Sequence, residues 1–301
     1  MASRLSSSST VVASARDCPL CGGAAGRTAF PYASRFAADV FSYVACSRCG
    51  TRYIDPVPSS AVFEKIYAPG DYHDVFYDGD GQSAYGATAE RLADHLPPEA
   101  RVLDYGCGSG HLIEALRIQG LAASGGEFSV EAAANAASRC KAKVFDLSSS
   151  GWLEAGSWDC IHLGDVIEHL PDPVATVNTI LGQLAPGGLL SVEGPLEANP
   201  SLVYGAAALF GWAKRQCSAT VPEFPPYHLI FTSAKAQRDF FHRLAVPLRE
   251  IHWDVQETGW PYRRNGALRN AIAQASIAIS HLPLVGTGFG NRFHALYRKE
   301  G

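Results

Sequence analysis

The stretch RVLDYGCGSGHLIEAL, Arg101–Leu116, reads as one strand, one glycine turn and one helix. Val102 and Leu103 are apolar and run to an acid, Asp104. Gly106, Gly108 and Gly110 then alternate with other residues. Leu112, Ala115, Leu116 and Gln119 follow at helical spacing up to Gly120, where a C-terminal cap is expected. Glycines this close let the chain turn sharply and let a ligand approach the backbone. The helix behind them presents unpaired N–H groups and the positive end of its dipole. A dinucleotide fingerprint requires Gly-x-Gly-x-x-Gly. Counted from Gly106 its last position is His111, and counted from Gly108 it is Ile113, so that pattern fails. What stands here is Asp-x-Gly-x-Gly-x-Gly.

The segments downstream repeat the strand-then-helix rhythm. Leu121–Ser129 reads as a second strand ending on Glu127, where a carboxylate suits a bidentate grip on ribose hydroxyls. Ser129 can cap the next helix. A third strand, Ala142–Phe145, ends at Asp146, and a fourth, Trp158–Leu163, runs into GDVIEHLPDP, Gly164–Pro173. Pro173 opens a helix whose Val174, Val177, Leu181 and Leu184 share one face. Pro186-Gly187-Gly188 is expected to break it before a fifth strand, Leu189–Glu193. Strands alternating with helices at this pitch predict an α/β fold with a doubly wound, mostly parallel sheet.

The run DYGCGSG, GGEFS, DVIEHLPDP and LAPGGLL, in this order and spacing, resembles the class I S-adenosylmethionine-dependent methyltransferases. The resemblance implies a Rossmann-like, seven-stranded sheet and S-adenosyl-L-methionine as cofactor. It implies that Asp104, Gly106, Gly108 and Gly110 hold the methionine moiety and that Glu127 takes the ribose. Phe128 would lie against the adenine, Asp146 would approach the adenine amine, and Asp165 would sit beside the methionine end, facing the acceptor.

Upstream, Cys18-Pro-Leu-Cys21-Gly22 and Cys46-Ser-Arg-Cys49-Gly50 are two Cys-x-x-Cys knuckles. Two knuckles supply four thiolates, a closed tetrahedral set that predicts a structural Zn2+ ribbon over residues 18–58. A redox site would need one such pair, and a disulfide framework suits small secreted domains. Cys107, Cys140, Cys160 and Cys217 show no ligand spacing and read as small buried hydrophobes. Residues 1–17 are Ser- and Ala-rich with no acid before Asp17; they read as a disordered tail, with a targeting segment as the alternative. Residues 59–98 form a helical, Tyr-rich linker, with Ser59 capping a short helix and Tyr67, Tyr72, Tyr77 and Tyr85 packing over the next domain or forming a lid. The methyltransferase-like domain is expected over 99–300. A zinc ribbon, a Pro-x-Pro turn and a Tyr-rich segment in this order look like a bacterial subgroup with many members in glycan and natural-product pathways.

Residues 195–227 are an insertion containing LVYGAAALFGWAKRQC. Its apolar residues read as core, with a pocket wall or a helix leaning transiently on a membrane as alternatives. The insertion runs into PPYHLIFTS, which brings in His228. A hydroxyl acceptor needs a proton removed, and histidine is the usual group near neutral pH. His169, after the fourth strand, and His228 are the candidates, with structural hydrogen bonding as the plain alternative. Glu168, His169 and His228 are also ligand types for a divalent ion. The net charge of −4 and the absence of a lysine before Lys65 speak against nucleic acid as partner. No stretch is long and apolar enough to span a bilayer. The expected function is methyl transfer in the cytoplasm to a small-molecule acceptor: a sugar, glycan precursor or natural product. The alternatives are an RNA or protein methyltransferase reading its substrate with the ribbon, and a non-catalytic cofactor-binding relative.

Overall fold

The structure is a computed structural model, described here for residues 16–67, 81–217, 220–259, 266–282 and 288–300. The tail before residue 16, and Tyr72 and Tyr77 of the linker, lie outside the described residues.

In the main sheet, β4 (Arg101–Tyr105), β5 (Ala122–Glu127), β6 (Val144–Asp146), β7 (Trp158–Gly164) and β8 (Leu184–Pro195) run parallel. Two antiparallel strands, β11 (Arg292–Lys299) and β10 (Leu248–Gln256), extend the β8 side, giving the order β10-β11-β8-β7-β4-β5-β6. This is the seven-stranded, mostly parallel sheet that the sequence predicts. The central strands β4 and β7 are buried at nearly every position because both faces are covered. Val102, Cys160 and Leu189 pack on one face with Ile113 and Leu116 of the helix α3 (His111–Ile118). Leu103, Ile161 and Leu190, one residue further along each strand, pack on the other with Val177, Ile180 and Leu181 of α5 (Pro173–Gly182). The one-residue alternation of faces is the pleat itself.

Among the described residues, three helix starts carry a side-chain cap, Ser129 among them as expected, and Pro173 opens its helix as expected. Ser129 Oγ accepts from Ala132 N ahead of α4 (Val130–Cys140), and Asp172 caps α5 just before Pro173. Ser233 accepts from Ala236 N at the start of α7 (Ala234–Phe241). Ser59 stands at the N-cap of α1 (Ser60–Ile66) but its side chain makes no capping bond.

Other expectations fail as well, and Cys217 is exposed rather than a small buried hydrophobe. The face assigned to α5 is wrong at both ends: Val174 is exposed, and Leu184 is the first residue of β8. Pro186–Gly188 lies inside β8, where the β7 pairing jumps from Trp158↔Leu184 to Cys160↔Leu189, so the break is a bulge in a strand rather than the end of a helix. The insertion helix α6 (Leu202–Cys217) is not core. Only Val203 is buried, while Leu209, Phe210 and Trp212 are exposed. It lies on the surface against α8 (Ala267–Ser280) and against the long hairpin strand β1 (Ala25–Phe36), where Gly211 admits the Phe30 ring.

The cysteine-bearing end is a second antiparallel sheet, β1, β2 (Asp39–Cys46) and β3 (Arg52–Asp55), joined by β9 (Ile230–Phe231) from the far side of the insertion. The chain therefore returns to this sheet at the segment that carries His228.

Candidate functional site

The carboxyl ends of β4, β5, β7 and β8 meet at one edge of the sheet, where ligands of such sheets bind. Gly106, Gly108 and Gly110 have φ of +81°, +49° and +79°, a left-handed run that favours glycine at all three positions. At Gly106 a Cβ would also lie 2.8 Å from Val166 Cγ2. The turn packs against β5 closely enough that Gly125 has no room for a side chain: a Cβ there would meet Cys107 Sγ at 2.6 Å. Cys107 is the small buried residue that the sequence predicts.

Glu127 braces this turn. Its carboxylate accepts from Gly108 N at 2.9 Å and from Phe128 N at 2.7 Å. Phe128 is half exposed and meets Tyr105 edge-on at 5.9 Å between ring centres. Asp146, at the end of β6, accepts from Ser148 N and Oγ at 2.8 and 2.6 Å. Asp104 is 5% exposed. Burial, together with the nearby charges of Glu193 and Glu127, pushes its carboxyl up to about 8. A hollow in front of the turn is lined by Tyr85, Asp104, Gly106, Gly108, Asp165 and Glu193. A larger hollow around Arg101, Arg117 and Lys143 lies at the amino-terminal ends of the strands, away from this edge.

After β7 the chain holds Asp165 at φ +51°, a strained conformation for a residue with a side chain. Arg292, at the start of β11, reaches it with Nη2 at 2.9 Å from Oδ1 and 3.0 Å from Oδ2. Burial would raise the Asp165 carboxyl, but the Arg292 charge outweighs it and holds the group below the usual range. The next turn brings the two predicted histidines together, 4.9 Å apart between ring centres. His169 Nδ1 donates to Tyr227 O at 2.7 Å and lies 2.9 Å from Tyr67 Oη. Burial lowers His169 to about 3, so it is neutral. Burial acts against charge on His228 too, but Glu197, 2.8 Å away, outweighs it and lifts the group to about 9. Glu168 is 6% exposed, and burial beside Asp165 pushes it up to about 8.

Three of these partners escape sequence reading in different ways. Glu193 ends its strand as Asp104 and Glu127 end theirs, and that rule alone finds it. Arg292 and Glu197 carry no local signal, because antiparallel pairing and a loop bring them in.

The four knuckle cysteines form a separate cluster. Sγ–Sγ distances are 3.8 Å for Cys18–Cys49, 3.5 Å for Cys21–Cys46 and 3.4 Å for Cys21–Cys49. Four thiolates about 2.3 Å from one tetrahedral ion lie about 3.8 Å apart, so the set fits a metal.

A family profile described as a methyltransferase domain matches residues 77–275. The chain is 27% identical over 209 residues to trans-aconitate 2-methyltransferase of Methylobacterium radiotolerans, covering 63% of this chain and 80% of the relative. It is 31% identical over 109 residues to ubiquinone biosynthesis O-methyltransferase of Psychrobacter arcticus, covering 33% of this chain and 42% of the relative. Matches of this second kind span about half the relative's length or less. Among solved structures, N-methyltransferase NodS from Bradyrhizobium japonicum, in complex with S-adenosyl-l-homocysteine, is 13% identical with a TM-score of 0.49, over 80% of this chain and 97% of that one.

The raised carboxyls set a pH dependence. Folded Asp104 keeps its proton up to about 8, whereas the unfolded chain releases it at the ordinary value of 3.8. The folded state binds more protons in that window, so stability falls as pH rises through it, by up to about 1.4 kcal/mol per pH unit for one group. Thermal unfolding of the ligand-free chain between pH 6 and 8 should show this decline, and Asp104→Asn should make it shallower. An unchanged slope in the variant would contradict the burial argument.

Proposed function

The chain belongs to the class I S-adenosylmethionine-dependent methyltransferases, and from that premise we propose that it moves a methyl group from S-adenosylmethionine to a small-molecule acceptor, a sugar, glycan precursor or natural product. The observation that carries this is the meeting, at one sheet edge, of the braced glycine turn and an acceptor-side cluster of Asp165, His169 and His228.

Asp104, Gly106, Gly108 and Gly110 would hold the methionine moiety, Glu127 the ribose, Phe128 and Asp146 the adenine, and Asp165 the boundary with the acceptor. These residues fit the group: the glycine turn lines the same hollow as Asp104, Asp165 and Glu193, and Glu193, with Glu127 behind the turn, favours a cationic ligand. The bound cofactor supplies a methyl on a sulfonium that is already an excellent leaving group. The chain therefore aligns the acceptor, excludes water and handles a proton. Neutral His169 has its Nδ1 proton on Tyr227 O, which leaves the Nε2 lone pair towards the acceptor side. His228 is held by Glu197, and Tyr67 extends the linker onto the same cluster. That contact supports the linker as a wall of the acceptor pocket. The cysteine cluster is read as a structural Zn2+ site with no open position for chemistry. Thiols left unpaired by disulfides suit a cytoplasmic setting.

Calorimetry should show S-adenosylmethionine binding to the purified chain. Asp104→Ala and Glu127→Ala should each weaken it by about 1–3 kcal/mol, the cost of losing a charged hydrogen bond. Gly108→Val should weaken it further, since a branched side chain at positive φ distorts the turn. No binding by the wild type would overturn the reading.

Replacing the true base, His169 or His228, with Ala should lower turnover on a hydroxyl acceptor by roughly 10²–10⁴-fold while leaving cofactor affinity unchanged. If both variants keep wild-type turnover, the chain works by alignment of an already activated nucleophile.

Protein purified without added metal should carry about one zinc per chain by elemental analysis, and Cys18→Ser should lose it. Cofactor binding should survive in part, because the glycine turn lies in the other sheet. Full metal retention by Cys18→Ser would refute the assignment.

A further inference from the structure

We propose that Glu168, His169 and His228 form a second metal site, separate from the four cysteines, that takes a first-row divalent cation such as cobalt, zinc or manganese. The ligand atoms of these three residues all lie within 4.8 Å of one another. Ligands about 2.1 Å from one ion stand about 3–4 Å apart, so the widest pair closes by about 1–2 Å as an ion enters.

Three observations point to a cation rather than to ordinary packing. First, Glu168 Oε1 is buried and has no hydrogen-bond partner among the described residues. Its neighbour His169 Nε2, at 3.8 Å, is beyond hydrogen-bond reach. A buried carboxylate oxygen left without a donor is costly, and such groups call for an explanation.

Second, each imidazole has its Nδ1 engaged with an oxygen, and His169 Nε2 faces Glu168 Oε1 at 3.8 Å. His169 Nδ1 lies 2.7 Å from Tyr227 O. A carbonyl can only accept, so Nδ1 carries the proton and Nε2 the lone pair. His228 Nδ1 lies 2.8 Å from the Glu197 carboxylate, which likewise accepts. A ring held by one N–H against an oxygen, with the other nitrogen turned to a shared point, is how proteins orient metal-binding histidines. Any proton on His228 Nε2 would leave as the ion arrives.

Third, the two segments are fixed to each other before any ion binds. Leu229 N donates to Glu168 O at 2.7 Å, so the backbone beside His228 is tied to the turn that carries the other two ligands. The side chain of His228 is 28% exposed, which gives an ion a way in.

Two imidazoles and one carboxylate select first-row transition ions over magnesium or calcium, which prefer oxygen. Three protein ligands leave positions open for a small molecule. If the chain transfers methyl groups as proposed above, an acceptor hydroxyl taking such a position would have its pKa lowered. The site itself does not depend on that reading.

The test uses the full chain without an affinity tag, with the cysteine cluster loaded with zinc, titrated with Co2+ alone. Calorimetry and visible absorption should show one further equivalent, with d–d bands and no sulfur-to-cobalt charge transfer; charge transfer would reveal exchange into the cysteines. Glu197→Gln keeps all three ligands and should weaken cobalt by about 10–100-fold. Glu168→Gln and His228→Ala should weaken it at least as much. No additional cobalt in the wild type, or unchanged affinity in both Glu197→Gln and His228→Ala, overturns the site. S-adenosylhomocysteine binding by the same samples confirms that the variants are folded, and a failure of the methyltransferase reading would appear there, not in the cobalt titration.

Discussion

Four acids, Asp104, Glu127, Asp165 and Glu193, stand at or near the carboxyl ends of neighbouring parallel strands, the first two buried and the others half-buried, and their crowding is the constraint that the rest of the site answers. Carboxylates taken out of water at such spacing repel one another and lose hydration together. The fold meets each charge differently. Glu127 takes backbone N–H groups from the glycine turn and from its own strand end. Asp165 takes the Arg292 guanidinium. Asp104 keeps its proton, and Glu193 stands near Arg91 at 3.6 Å and His162 at 3.8 Å. What remains is an acidic edge complementary to a ligand that carries positive charge.

This arrangement makes β11 more than the end of the sheet. Its first residue is Arg292, and antiparallel pairing with β8 places Arg292 opposite Pro195, level with the acidic strand ends. A strand that arrives last in the chain thus supplies the counter-charge for the middle of the site.

The cysteine-bearing sheet is tied to the same edge at Leu229. Leu229 O accepts from Ile54 N, in β3, and Leu229 N donates to Glu168 O, in the turn after β7. Leu229 itself is fully buried. The segment with His228 is therefore held between two sheets rather than hanging as a surface loop. The cysteine-bearing sheet and the position of His228 are thus coupled.

Local periodicity made the strands, the helices and the glycine turn legible, because each is decided by residues near in sequence: alternating faces, the cap at Ser129, Pro173 at a helix start, and three left-handed glycines. The Cys-x-x-Cys spacing likewise picked out four cysteines whose sulfur atoms converge. Local rules failed where a pattern has two meanings. Pro186–Gly188 breaks a helix or bulges a strand with equal ease, and the pairing of β7 with β8 chose the bulge. The apolar run Leu202–Cys217 fits a core or a surface helix, and the surface won because both faces of the sheet were already covered. The joining of His169 to His228, the Glu197 anchor and the Arg292 counter-charge belong to tertiary structure alone. Each depends on where distant strands and a returning segment come to rest, and no spacing along the chain encodes that distance.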